Sequence, residues 1–421
     1  MKRVILAVLV SVVCFGCSIS CSRPVREPGG TADDADLALH DPDEYAWRLF
    51  LFLNRPAKPG KAGVADPNRR FGDTGGPLVW ETWALASGGD DSEVFKPDES
   101  PPTSWDDLRR PPERRLILDV DRERLMAEGW RNLKSAVKRA SSGTPIASAS
   151  VLPPNATDEE VRINRATLDT ILAMKIYSCG GLGSALREAR ARCDRRFVQV
   201  PTSGKEVKAR WIRIDEAQQG RYLWRKDNQG QLWGLAAFHL STRDIPNWFW
   251  ADFGHIDCED GGTPPCGGSK PDDPVNQAKR ATLRWDSTTM GAHAKHGING
   301  VRTETNDNVW QYYRLRGTQT NFINPWGEPW LLSNPVFEKT REKSSCIGCH
   351  SQAAIGSDSD PRATRICKQP VVTTLGGVFA VYIPRPEDYG VPNEIKNLQI
   401  DFMWTPIAQR VPPPKDTPGN N

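Results

Sequence analysis

The chain has 421 residues and a net charge of +3, with 55 Lys and Arg dispersed among 52 Asp and Glu, so no basic block argues for nucleic acid. Only 38% of it is hydrophobic, while 35 Gly and 34 Pro point to a loop-rich protein rather than a helical bundle. A chain of this length can still bury a substantial core, and its 15 Trp supply large apolar area for one.

The N-terminus reads as an address. Lys2-Arg3 is a charged start, and Val4 to Val13 is an apolar run of signal-peptide length, too short to span a bilayer. Gly16-Cys17 resembles the end of a bacterial lipoprotein signal, although Cys14 and Phe15 stand where an aliphatic and a small residue are usual. The expectation is export to the periplasm or outer membrane, with a lipid anchor at Cys17. Ser18 is similar to the outer-membrane sorting pattern. Residues 18–40 read as a disordered tether, 41–410 as the globular domain with a possible subdivision near 200, and 411–421 as a flexible tail.

Asp41-Pro42 opens a helix, with Asp as N-cap, Pro at the first helical position and Glu44 in the first turn. Tyr45, Trp47, Leu49, Phe50 and Leu53 form its apolar face, and Asn54-Arg55-Pro56 ends it. A Gly/Pro-rich loop reaches Pro77, and residues 96–113 read as a surface excursion. A helix is expected over 157–177, with Thr157 as N-cap and Ile163, Leu168, Ile171 and Leu172 as its apolar face. From Lys205 the period changes to two: Val207, Ala209, Trp211 and Ile214 alternate with charged residues, and Arg221–Arg225, Leu232–Leu240 and Trp248–Phe253 follow. Asp227-Asn228-Gln229-Gly230 marks a turn between two of these. The pattern predicts an antiparallel meander of about four strands. Further short strands are expected at 309–316, 330–337 and 377–383. The fold class is α+β: a β-rich antiparallel core with peripheral helices and long loops, carrying an embedded c-type haem site.

That site is Ser345-Cys346-Ile347-Gly348-Cys349-His350. Cys-x-x-Cys-His is the attachment pattern of c-type haem. Two intervening residues bring the thiols of Cys346 and Cys349 to the separation of the two porphyrin vinyl groups, and His350 then sits under the iron as proximal ligand. A zinc knuckle would need a second pair of similar spacing, and Cys179/Cys193 and Cys258/Cys266 are too widely spaced. With one such motif, one covalent haem c is expected. Export supports it, because c-type haem is attached outside the bacterial inner membrane. Setting aside Cys14, Cys17, Cys346 and Cys349 from the ten cysteines leaves Cys21, Cys179, Cys193, Cys258, Cys266 and Cys367. In an oxidising compartment Cys258 with Cys266 and Cys179 with Cys193 are the expected disulfides.

The sixth iron ligand decides between an electron carrier and a catalytic or ligand-binding haem. His239 stands in the apolar strand Trp233-Gly-Leu-Ala-Ala-Phe-His239, where a buried imidazole needs a reason: iron ligation or a hydrogen bond to a carbonyl. His255, Met403, Met290 and the pair His293/His296 are further candidates, and an open iron is the other possibility. Arg314, Arg316 and Arg341 suit haem propionates by charge.

Several stretches resemble a poorly characterised family of bacterial monohaem cytochrome c proteins with a large β-containing domain. They are Trp47-Arg-Leu-Phe, Leu53-Asn-Arg-Pro, Trp80-Glu-Thr-Trp-Ala, Glu93-Val-Phe, Glu206-Val-Lys-Ala-Arg-Trp, Leu235-Ala-Ala-Phe-His239, Pro246-Asn-Trp-Phe-Trp-Ala-Asp-Phe-Gly-His255, the haem motif, and Asp401-Phe-Met-Trp-Thr-Pro. The resemblance implies a haem redox protein, supplies no substrate, and raises His239 above the other candidates. Electron transfer between redox protein partners is the leading expectation. A haem-dependent oxidoreductase or peroxidase-like enzyme with an open distal site is the alternative, supported by the size of the domain and weakened by the absence of any GxSxG, Walker A or dinucleotide fingerprint. A haem-based sensor ranks last.

Overall fold

The apolar stripe read over residues 42–53 does form a helix, and the sheet it covers organises the rest of the chain. The computed structural model describes residues 26–87, 92–96, 98–108, 115–116, 157–192, 198–227, 230–258, 307–324, 327, 330–332, 334, 336–337, 345–351, 353–356, 363–365, 370–372, 390–391, 394–395 and 397–408. Helices α1 (Ala32–His40) and α2 (Pro42–Leu53) lead. Strands β1 (Ala84–Leu85), β2 (Arg115–Leu116) and β3 (Thr157–Ile163) follow, then α3 (Arg165–Ala173) and α4 (Cys179–Arg192). The main strands are β4 (Lys205–Arg213), β5 (Trp224–Asp227), β6 (Leu232–Thr242), β7 (Phe249–His255) and β8 (Tyr313–Gln319). The Cys-x-x-Cys-His motif is helix α5 (Cys346–His350), and β9 (Ala354–Gly356) follows it. Two small hairpins, β10 (Ala363–Arg365) with β11 (Pro370–Val372) and β12 (Gly390–Val391) with β13 (Glu394–Ile395), precede β14 (Asn397–Gln399), which pairs with β9. Helix α6 (Thr405–Ala408) closes the described chain. This is the expected α+β class with a β-rich core.

The sheet is not a simple meander. β6 pairs with β4 along nearly its whole length, and its other edge is shared between β5 at its start and β7 towards its end. β8 adds to β7, and β3 then β1 extend the sheet beyond β4. All these pairings are antiparallel; only the two-residue β2 joins β5 in parallel. Between Arg210 and Trp211 the register shifts, so Ala236 is an extra residue opposite β4. The bulge resets the alternation of β6, so that Leu235 joins Phe238 in the same core.

Core side chains come from α2 and one face of the sheet. The Asp41 side chain accepts from Glu44 N at 3.3 Å and Pro42 starts the helix, as expected. Its aromatic residues meet the sheet mostly edge to face: Tyr45 on Phe249 at 4.9 Å, Trp47 on Phe253 at 5.1 Å, Phe50 on Phe238 at 6.1 Å. Phe50 also stacks on Phe253 at 4.3 Å. Each such ring stabilises the fold by about 1.5–3 kcal/mol through burial alone.

Four expectations need correction. Residues 32–40 of the expected tether form α1, because Thr31 caps it by accepting from Asp34 N, and Glu27 pairs with Lys205 of the sheet at 3.0 Å. The helix expected from Thr157 starts at Arg165 with Asn164 as cap; Thr157–Ile163 is strand β3, drawn extended by seven paired positions on β4. The strand expected over 330–337 does not form among its described residues: Leu332 makes a single bridge to Ser345, and Val336 and Phe337 lie in a turn. The strand near 309–316 begins at Tyr313, after a 3-10 turn over Val309–Tyr312. The signal segment, the tail after 408 and the 377–383 strand lie outside the described residues. Among the described residues no helix is long and apolar enough to cross a membrane.

Candidate haem site

The motif helix α5 sits on the sheet face opposite α2. Ser345 caps it, its Oγ accepting from Gly348 N at 3.1 Å. Gln319, the last residue of β8, anchors the same end: its Nε2 donates to Ser345 Oγ at 2.8 Å and to Trp330 O at 2.5 Å, and its Oε1 accepts from Ile347 N at 3.0 Å. The side chain one position earlier, Thr318, points to the other face and donates to Asp43 of α2 at 2.9 Å. The alternation of one strand thus fixes helices on both faces. Cys346 and Cys349 are thiols at intermediate exposure, and Cys346 Sγ lies 3.4 Å from Leu332 O.

His350 is held by its Nδ1, which lies 2.9 Å from Phe402 O. A carbonyl can only accept, so Nδ1 carries the proton and Nε2 presents a lone pair. Trp250 of β7 packs on the ring at 4.4 Å between centroids, and Trp404 Nε1 donates to Cys349 O at 3.1 Å. Burial pushes the His350 pKa down to about 3; the Phe402 bond opposes this, while Lys208 and His239 add to it. The imidazole is neutral, the form that ligates metal.

The backbone that supplies this carbonyl is strained. Asp401 and Phe402 have φ of 46° and 65°, and Met403 N closes a turn onto Ile400 O at 2.9 Å. Trp248 has φ 59°. Left-handed conformations are uncommon for bulky side chains and cluster at functional sites. Here they lie beside the motif histidine.

Across the face towards which His350 is turned, Lys208, His239 and Asp252 stand in register on β4, β6 and β7. His239 Nε2 lies 3.0 Å from Asp252 Oδ1, an ion-pair distance without hydrogen-bond alignment. Asp252 also accepts from Arg316 Nε at 3.0 Å and Asn334 Nδ2 at 2.7 Å. Burial would raise its pKa, but His239, Arg316 and Asn334 overcome that and hold it low. Lys208 and Arg210 both pair with Glu159, at 3.2 and 3.3 Å. The Phe337 ring covers the group, 4.1 Å from the His239 ring and 4.9 Å from Lys208 Nζ.

The other candidates separate. His255 is fully buried with both nitrogens used, Nε2 on Arg221 O at 3.1 Å and Nδ1 accepting from Asp257 N at 3.2 Å, and it stacks on Tyr222 at 3.7 Å. It is a core histidine, its pKa lowered to about 4 by burial. Met403 is buried in the strained turn next to the motif. Arg316 is committed to Asp252 rather than placed for a propionate. Met290, His293, His296 and Arg341 lie outside the described residues. Cys179 and Cys258 are disulfide-bonded, and their expected partners Cys193 and Cys266 lie outside the described residues. Among the described residues no cluster of His, Cys, Asp and Glu would hold a metal by itself. Residue reading missed Gln319, Asp252 and Asp401; nothing local in the sequence marks them.

No protein-family model, curated protein or solved structure matches the chain.

Proposed function

We propose that the chain is an exported monohaem c-type cytochrome that transfers electrons between periplasmic or membrane partners. The observation that supports it most is His350: its Nδ1–H is fixed on Phe402 O, so its Nε2 is the ligating nitrogen, and the thiols of Cys346 and Cys349 precede it on the same capped turn. The residues fit the group. Cys346 and Cys349 would hold haem c through thioether bonds, and His350 would be its axial ligand; bound there, the haem supplies a one-electron iron couple. The chain's own part is to hold the imidazole neutral, fix its tautomer and back it with Trp250. A lipid anchor at Cys17 would tether the redox site to a membrane, within reach of protein donors and acceptors.

His239 is the candidate sixth ligand, because it lies on the sheet face whose Trp250 packs against His350. One observation favours the second reading, a haem oxidoreductase with an open distal site. His239 turns Nε2 towards the buried carboxylate of Asp252, and its other nitrogen lies next to its own Cβ, a crowded approach for a flat macrocycle. In that reading His239 and Asp252 are a proton-handling pair.

The visible spectrum of the haem-matured ferrous protein, with and without carbon monoxide, separates the two. A c-type α-band unchanged by carbon monoxide supports the carrier, and His239→Ala should then open the iron. A clear shift in the unaltered protein gives the lead to the oxidoreductase. Absence of covalent haem sinks both.

A further inference from the structure

We propose that Asp401 is the positioning residue for the iron-binding histidine, a role that rests on the haem reading above. Two routes reach the His350 ring from the protein, and Asp401 joins them. One is the Phe402 carbonyl on Nδ1; the other is the stack of Trp248 on Trp250, at 6.1 Å, and the tilted packing of Trp250 on His350. The Asp401 carboxylate accepts from Trp248 Nε1 at 3.3 Å, from Val200 N at 2.7 Å and from Arg243 Nε at 3.1 Å. Arg243 is itself tied to Ile245 O at 3.0 Å, and Trp248 N to the same carbonyl at 3.0 Å. The acid is thus the knot between the β6–β7 turn, the segment entering β4 and the turn after β14.

The reason such a knot is needed is conformational. Residues 401 and 402 both have positive φ. Asp tolerates that region because its short polar side chain bonds locally; Phe does not, and reverts unless its surroundings over-determine it. Phe402 is also the residue whose carbonyl direction fixes the imidazole. If Phe402 relaxes to negative φ, its peptide plane rotates and the carbonyl leaves Nδ1. Asp401, one residue earlier and bonded to both the β6–β7 turn and the segment entering β4, blocks that rotation.

Two variants separate positioning from mere tolerance of the turn. Asp401→Gly suits the left-handed backbone better than Asp but removes every side-chain bond. Asp401→Asn keeps one acceptor oxygen, for Val200 N or for Trp248 Nε1 but not for both, and loses the charge opposite Arg243. In the haem-free protein, proton exchange at His350 Nδ1–H, followed by nitrogen-resolved NMR, should accelerate about tenfold or more in Asp401→Gly and by less in Asp401→Asn. In the haem-loaded protein the same order should appear as a more positive reduction potential, because an imidazole that loses its carbonyl bond donates less to iron. Unchanged exchange in a folded Asp401→Gly variant overturns the proposal; if that variant does not fold, unchanged exchange in Asp401→Asn does so. Failure of the protein to take up haem would remove the cytochrome reading and leave the exchange measurement standing on its own.

Discussion

On one face of the sheet Phe238 and Phe253 close over the aromatic stripe of α2; one residue along the same strands His239 and Asp252, with Lys208 in register on β4, form a polar row beneath Phe337 and beside α5. The first face is held by area and ring packing, which are tolerant of detail. The second is held by directed bonds between charged groups, where each partner is needed to justify burying the other. Period two lets one set of strands carry stability on one side and candidate chemistry on the other. Substitutions on the two faces should therefore cost similar stability and differ in what they do to the proposed haem.

The largest losses test this directly. Asp252→Ala strands the buried guanidinium of Arg316 and should destabilise by about 3–5 kcal/mol. Phe50→Ala leaves a cavity against Phe238 and Phe253 and should cost about 3–5 kcal/mol as well. Chemical denaturation gives both values. In haem-matured protein only Asp252→Ala should alter the ferrous spectrum or its response to carbon monoxide; a matching change in Phe50→Ala would erase the distinction between the faces. Gln319→Leu comes next. It removes the acceptor of the buried Ile347 N and a donor to Ser345, about 1–3 kcal/mol, and should lower the yield of covalent haem by loosening the start of α5. Normal haem yield in a destabilised Gln319→Leu protein would make that residue purely structural.

The same contrast explains what could be read from residues alone. α2 was legible because its cap, its proline and its apolar stripe are all local, and the Cys-x-x-Cys-His helix stands out because its pattern lies in consecutive residues. β3 was not: Thr157 read as the N-cap of a helix with Ile163 on its apolar face, and only pairing with β4 makes that stretch extended. The strand order escaped for a similar reason, since β4 and β5 are neighbours in sequence yet flank β6. Around the motif the decisive bonds are long-range: Gln319 to Ile347, Phe402 to His350, Asp401 to Val200. A glutamine at a strand end and a carbonyl in a Pro-bounded tail carry no signature of their role. His239 could be singled out as a polar residue in an apolar strand, but its partner Asp252 is visible only once β6 and β7 are aligned.

The smallest expected effects lie in the pH dependence of stability, where two groups oppose each other. His255 is buried and neutral, its pKa lowered to about 4 from 6.5. The unfolded chain binds the proton first, so stability is lost as pH falls from 6.5 to about 4. Glu206, on β4 and bonded to the Thr405 hydroxyl, has its pKa raised to about 7 from 4.5 by desolvation, which the Thr405 bond and Lys208 only partly offset. Here the folded chain keeps the proton longer, so stability is lost as pH rises from 4.5 to about 7; because this side chain is only half-buried, its share is the lesser. Between pH 4.5 and 6.5 the two slopes have opposite sign and cancel in part. His255→Gln should leave the falling slope, so that melting temperature drops with rising pH across this window, and Glu206→Gln should leave the rising one. If both variants tilt the profile the same way, one of the two carboxyl and imidazole environments is not as described, and the half-buried glutamate is the one to re-examine by carboxyl-resolved NMR titration.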